Sequence, residues 1–179
     1  MGDVFNEQIV KRQSSVKDTA IKVCLWIIAL FIGFTAFLFL GSMGFGAIGF
    51  LVIFAAGYAA VFFSGYLKVE YEYAFTSGEL DIDAIYDRSR RKRLMSVKVS
   101  EFEIMAHIDD KAHEHSFSTA QATLDYSSGV TGPATYVFLT TYNSKKTKVI
   151  IEPNDKMLKA ISGAITRRKL HLRPGVVLI

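Results

Sequence analysis

Two short stretches carry side chains able to do chemistry. Arg88–Arg93 reads RSRRKR, with five cations in six positions at Arg88, Arg90, Arg91, Lys92 and Arg93. Such a set attracts anions: lipid headgroups, acidic proteins or a phosphate backbone. His107–His115 reads HIDDKAHEH and offers His107, Asp109, Asp110, His113 and His115, the nitrogen and oxygen donors that divalent metals take. Its spacing matches no closed zinc pattern. The expectation is therefore a solvated loop with no metal, and His107, His113 and His115 are the residues that would carry one.

Few other residues invite a reaction. There is no glycine-rich phosphate loop and no nucleophile elbow, Ser127-Ser128-Gly129 reads as a loop, and the single cysteine, Cys24, falls in an apolar run. The expectation is no enzyme and no cofactor. From Lys68 onward there are 17 Lys and Arg against 14 Asp and Glu. That balance is too even for a nucleic-acid surface, so no nucleic-acid partner is expected.

The elements that must position these stretches follow from hydropathy. Residues 23–67 contain no Asp, Glu, Lys, Arg or His. Forty-five uncharged residues are too many for one crossing of a bilayer, which takes about 20, and suit two. Three glycines at Gly41, Gly44 and Gly46 mark the turn, giving spans at about 20–40 and 46–67. A cleaved signal sequence fits poorly, because the polar leader is long and the apolar run extends far past about 15 residues. Lys11, Arg12, Lys17 and Lys22 precede the pair, Lys68 and the basic cluster follow it, and the turn has no cation. By the positive-inside rule both ends are then cytoplasmic, in a multi-pass protein of the cell membrane. Ala29/Gly33, Ala55/Ala59 and Ala56/Ala60 have the small-xxx-small spacing that lets helices approach.

The leader 1–19 reads as a thin amphipathic segment at the inner membrane face or as an unstructured arm. After Lys68 the apolar period becomes two. Val69, Tyr71, Tyr73 and Phe75 alternate with polar positions, TSGE turns the chain, and Leu80 and Ile82 begin the return. The phase slips between Val99 and Phe102, as at a bulge in a long strand. His107–Phe117 reads as a polar loop, and further strands fall near Ala120–Tyr126, Thr135–Tyr142 and Lys148–Ile151. About six or seven strands result, mostly antiparallel neighbours. Asn154 is a suitable N-cap for a helix with the stripe Met157, Leu158, Ile161, Ala164 and Ile165, and Thr166-Arg167-Arg168-Lys169 would set cations at its end. The expected fold class is an α+β membrane protein: a transmembrane α-hairpin at 20–67, then at 68–179 a PH-like antiparallel β-barrel or sandwich closed by a C-terminal amphipathic helix.

The stretches VEYEYAFTSGELDID, RKRLMSVKVSEFEIMA, LDYSSG and VIIEPNDKMLKAI resemble a family of small bacterial membrane proteins, common in Gram-positive anaerobes of the Clostridia type, with two spans and a PH-like domain. The resemblance covers nearly the whole chain but not the tail HLRPGVVLI. It implies a location and an architecture and no reaction. The layout points to a membrane-anchored interaction or scaffold module with an unidentified protein partner, and Arg88–Arg93 reads as a basic loop that contacts anionic lipid or whose charges neutralise the acidic neighbours Glu79, Asp81, Asp83 and Asp87. The alternative is a small accessory subunit of a membrane transport assembly. A phosphoinositide-binding PH domain of eukaryotic type carries its cations on the first hairpin, and here that hairpin is the short TSGE.

Overall fold

A computed structural model of the chain describes residues 5–173; residues 1–4 and 174–179, with the two chain ends, lie outside the described residues. The chain divides into two compact units. One contains 14–69 with 86–89, the other the remaining parts of the sequence.

The first unit is built on α1 (Val16–Ser42) and α2 (Gly46–Gly65). Ser15 caps α1, its hydroxyl accepting from the Lys17 N–H at 3.3 Å while its own N–H donates to Asp18 at 2.9 Å. The helices reverse through Met43-Gly44-Phe45, where Gly44 takes a φ of +85° that a side chain would oppose. Their mutual face is made of small residues. A Cβ on Gly33 would stand 3.3 Å from the Ile53 backbone, and one on Gly49 only 2.9 Å from that of Phe37. Phe37 and Phe50 meet edge-on at 4.8 Å beside it. Of the expected small pairs, Gly33 and Ala60 are buried, whereas Ala55 is exposed.

Everything else on these helices is inverted relative to a water-soluble protein. Trp26, Ile27, Leu30, Phe31, Phe34, Leu51, Phe54, Tyr58 and Phe63 are exposed, and only 6% and 11% of the two most apolar windows are buried. Helices hydrophobic all round demand an apolar surrounding, and both are long and apolar enough to cross a membrane. Thr35 and Ser64 donate their hydroxyls to the carbonyls of Phe31 and Ala60, so neither adds an unmet polar group.

The second unit contains two sheets. The first has strand order β1 (Phe5–Lys11), β2 (Val69–Thr76), β3 (Glu79–Tyr86), β4 (Arg90–Lys98). Residues 5–11 of the leader expected at 1–19 are thus an edge strand, antiparallel to β2 with Gln8 opposite Tyr73 and Lys11 opposite Glu70. The helical pair is accordingly an insertion between two paired strands rather than an appendage ahead of a complete domain. Ser77 and Gly78, both at positive φ, make the tight turn between β2 and β3.

The second sheet has the order β6 (Ala122–Asp125), β8 (Lys145–Ile151), β7 (Tyr136–Tyr142), β5 (Ile104–His107), β9 (Leu170–His171). Its centre is antiparallel and its two outer pairs, β6 with β8 and β5 with β9, are parallel. The sheets do not close into the expected barrel. The expected slip between Val99 and Phe102 is a 3-10 turn, Val99–Glu101, which ends β4 before the chain enters the other sheet. Tyr73, Leu80, Ile82, Met95, Phe102 and Phe138 are wholly buried, with the rings of Phe102 and Phe138 stacked at 4.0 Å.

The stretch expected to be a polar loop carries a 3-10 turn (Lys111–His113) and the short α3 (Glu114–Ser118). α3 exists to deliver Phe117, which packs with Ala106, Val137 and Leu139 on the far side of the second sheet. α4 (Asp155–Ala164) is the expected amphipathic helix: Asn154 accepts from the Met157 N–H at 2.8 Å, and Met157, Leu158 and Ile161 are buried. The cations Arg167, Arg168 and Lys169 are not at its end; they form a separate 3-10 turn leading into β9.

A hydrogen-bond network, buried at Tyr73 and partly exposed at its edge, ties the sheet unit together. The Tyr73 hydroxyl donates to the Tyr126 carbonyl and accepts from the Glu152 N–H, and burial pushes its pKa far up, so it stays a phenol. Gln8 donates to the Glu152 carbonyl and accepts from the Asn154 N–H, both at 2.7 Å. The Glu152 carboxylate accepts from the Ser128 N–H and hydroxyl at 3.2 and 2.9 Å.

Two outcomes follow. Tyr73→Phe leaves two buried backbone groups unpaired and is expected to cost about 1–3 kcal/mol, read as a lower denaturation midpoint of the detergent-solubilised chain; an unchanged midpoint would show the network to be dispensable. Gly49→Leu forces the helices apart and is expected to cost about 1–3 kcal/mol in the same assay. Gly41→Ala, with open space around it, should not lower the midpoint.

Candidate functional site

The basic run is a turn and a strand, not a loop. Asp87, Arg88 and Ser89 turn the chain, and β4 begins at Arg90. Arg91 reaches across β3 to Glu72 on β2, with Nη2 at 2.7 Å from Oε1. Arg93 holds Asp81 at 3.0 Å and also hydrogen-bonds Asp83. These are charge-assisted contacts to half-exposed guanidinium groups, while Glu72 and Asp83 beneath them are almost covered. The hydrogen bond to Asp83 raises the Arg93 pKa further. Glu72 is also raised, mainly because it is desolvated and secondly because its carboxyl bonds that of Glu7, and Arg91 only partly offsets this.

Two of the five expected anion-facing cations are therefore committed to acids of the same sheet. Asp81 and Asp83 were foreseeable partners from their nearness in sequence; Glu72 is not, because it becomes a neighbour only through strand order. Arg88, Arg90 and Lys92 are exposed, and Arg88 and Arg90 also hold contacts of their own. The turn bearing Arg88 belongs to the helical unit. Asp87 donates its N–H to the Lys68 carbonyl at 3.0 Å and pairs with the Lys68 ammonium at 3.5 Å, and Tyr86 lies 6.1 Å from the Tyr66 ring. A Cβ at Gly65 would come 3.0 Å from the Asp87 carboxylate and would push that exposed side chain aside. Arg88 consequently sits at the C-terminal end of α2.

The histidine segment is rearranged relative to expectation. His107 is buried at the end of β5, edge-on to Tyr136, and its Nδ1 accepts from the Asp109 N–H at 3.2 Å. His107 is thereby anchored through Nδ1, its Nε2 is buried without a hydrogen-bond partner, and it is not part of the cluster of possible ligands. His115 lies exposed on α3. Of the segment's expected donors, His113 and Asp110 fall in a ligand-like cluster, and their companion is His171. Asp110 Oδ2 is 2.9 Å from His113 Nδ1, its other oxygen accepts from the Ala112 N–H at 3.0 Å, and the rings of His113 and His171 stack at 3.6 Å. The hydrogen bond from His113 holds the Asp110 carboxyl below the ordinary range, and desolvation lowers His171.

His171 arrives through the parallel pairing of β9 with β5, where it stands opposite Ala106. Of the chain's four histidines it is the one outside the 107–115 segment, so spacing alone gave no signal for it. Two clefts of about 360 Å³ share His107, Asp109, Asp110 and Lys111 in their walls, one running to Phe117 and Lys148, the other to Leu172 and Arg173.

Comparison with curated proteins and with solved structures gives no match. The family described as bacterial PH-like domain (DUF6106) matches residues 2–171, from the start of the first sheet through both apolar helices to β9. With nearly its whole length inside that match, the chain belongs to the bacterial PH-like domain family DUF6106.

Proposed function

We propose that this protein is a membrane-anchored, non-catalytic interaction module that presents a PH-like domain at the cytoplasmic face of the cell membrane. The observation that carries the reading is the insertion of two lipid-seeking helices between β1 and β2. Because Lys11 and Glu70 are partners across these strands, the chain leaves the sheet for the helices and re-enters it at neighbouring positions. An antiparallel helical pair entered and left at one place puts both flanks on one side of a bilayer, and the cations of those flanks favour the cytoplasm. PH-like folds serve mostly as recruitment surfaces, and the fold alone does not choose the partner.

Topology is tested with a Cys24→Ser background. Met43→Cys should react with a membrane-impermeant maleimide in intact cells, and Asn143→Cys only after permeabilisation. The reverse pattern would sink the orientation. Isolation in mild detergent addresses the role: a polytopic partner recovered in stoichiometric amount would favour an accessory subunit of a transport assembly, and a cytoplasmic partner an interaction module.

The lipid contact is assigned to the exposed cations of the basic run, Arg88 on the turn and Arg90 and Lys92 on β4, each worth about 1 kcal/mol near an anionic surface. In nanodiscs, amide exchange over residues 87–92 should be slower with phosphatidylglycerol than with phosphatidylcholine. Replacing Arg88, Arg90 and Lys92 by Gln should remove that difference; equal exchange in both lipids would leave these residues as surface charge.

A further inference from the structure

We propose that Asp110, His113 and His171 form a site for a divalent transition-metal ion of the zinc class. Each residue offers one ligand atom, and the three atoms all lie within 4.8 Å of one another. Around a tetrahedral ion with bonds of about 2.0–2.2 Å, ligand atoms stand roughly 3.4 Å apart. Closing the set requires side-chain rotation, including one that turns an imidazole out of the stack so that both ring planes meet at the ion. Two imidazoles and one carboxylate suit zinc, nickel or copper, and disfavour calcium and magnesium, which prefer all-oxygen shells.

The surroundings are organised as metal sites are. Asp110 is held from behind by the Ala112 N–H, which aims its other oxygen at His113. His113 and His171 stack with their rings 24° from parallel and their centroids 3.6 Å apart, which holds two imidazoles beside the Asp110 carboxylate. All three residues are half-buried. An ion would displace the proton shared between His113 Nδ1 and Asp110 and leave a fourth position for water or a partner's side chain.

The consequence concerns the end of the fold. β9 is two residues long, paired only as Met105 with Leu170 and Ala106 with His171. A parallel pairing so short contributes little by itself. An ion shared by His171 and the 3-10 turn after β5 would fasten this segment to the edge of the second sheet, so metal would control whether β9 stays docked. The inference rests on the geometry of the second unit and is independent of the membrane reading.

The test uses the untagged full chain in detergent, freed of metal with a chelator. Titration with zinc in competition with a chromophoric chelator should give one equivalent bound. His113→Ala and His171→Ala should each weaken binding at least tenfold, while His115→Ala, on exposed α3, should not change it. Cobalt substituted for zinc should give the intense visible absorption of a four-coordinate site, and zinc should slow amide exchange over residues 104–107 and 170–171. If either alanine variant loses its native circular dichroism, His171→Gln and the cobalt spectrum of the unaltered chain decide the matter. Absence of stoichiometric binding, or binding that survives loss of His113 or His171, would overturn the proposal.

Discussion

The phenol of Tyr73 is the point on which the sheet unit turns. It lies wholly out of water, and it joins β2 to the carbonyl of Tyr126 and to the N–H of Glu152. Glu152 extends the link through its carboxylate to Ser128, and through its carbonyl to Gln8, whose amide also fixes Asn154. Asn154 in turn caps α4. One continuous set of hydrogen bonds thus reaches both sheets, the helix and the edge strand. Where the set is buried, at the Tyr73 hydroxyl, a member left unpaired costs more than a made bond returns. Tyr73, LDYSSG and the segment around Glu152-Pro153-Asn154 are separate in sequence and single in space, which gives a structural reason for three of the stretches that mark this chain's family resemblance.

The insertion of α1 and α2 makes that network necessary. β1 is synthesised first but cannot pair with β2 until the helices between them are made. Closing so long a connection is entropically costly, and β1 offers little apolar surface to offset it: only Val10 of its seven residues is buried. Asn6 and Gln8 share the inward face with Val10, and it is the amide of Gln8, spent on two backbone groups, that sets the register. A strand held by polar contacts at its inner face is specific, since a shift of one residue would turn Gln8 outward and orphan both partners.

The same chemistry explains what was legible in the sequence. An uncharged stretch of 45 residues announces the helices directly, and Asn154 with its apolar stripe announces α4, because those signals are local. β1 is hidden because its inward residues are polar, so its alternation resembles a solvated arm. α3 is hidden because one buried ring, Phe117, does the work of a stripe. The partners of the basic run depend on strand order: Glu72 and Arg91 are neighbours only because β2, β3 and β4 lie side by side. His171 depends on a parallel pairing that no hairpin signal foretells. The parts that escaped are therefore those fixed by contacts distant in sequence.

Magnitudes separate the roles of charge and apolar surface. The aliphatic and phenylalanine side chains of residues 23–67 each contribute about 0.3–0.6 kcal/mol to insertion, on the order of 10 kcal/mol together. The exposed cations Arg88, Arg90 and Lys92 could add about 3 kcal/mol against anionic lipid, and less as salt screens them. Arg91 and Arg93 add little, because their charge is answered at contact distance by Glu72, Asp81 and Asp83. In the proposed topology, apolar surface would drive the helices into lipid, and charge would bias only which side their flanks take. The acidic face beneath β4 then has a second effect: it draws Arg91 and Arg93 away from an otherwise uniform basic run.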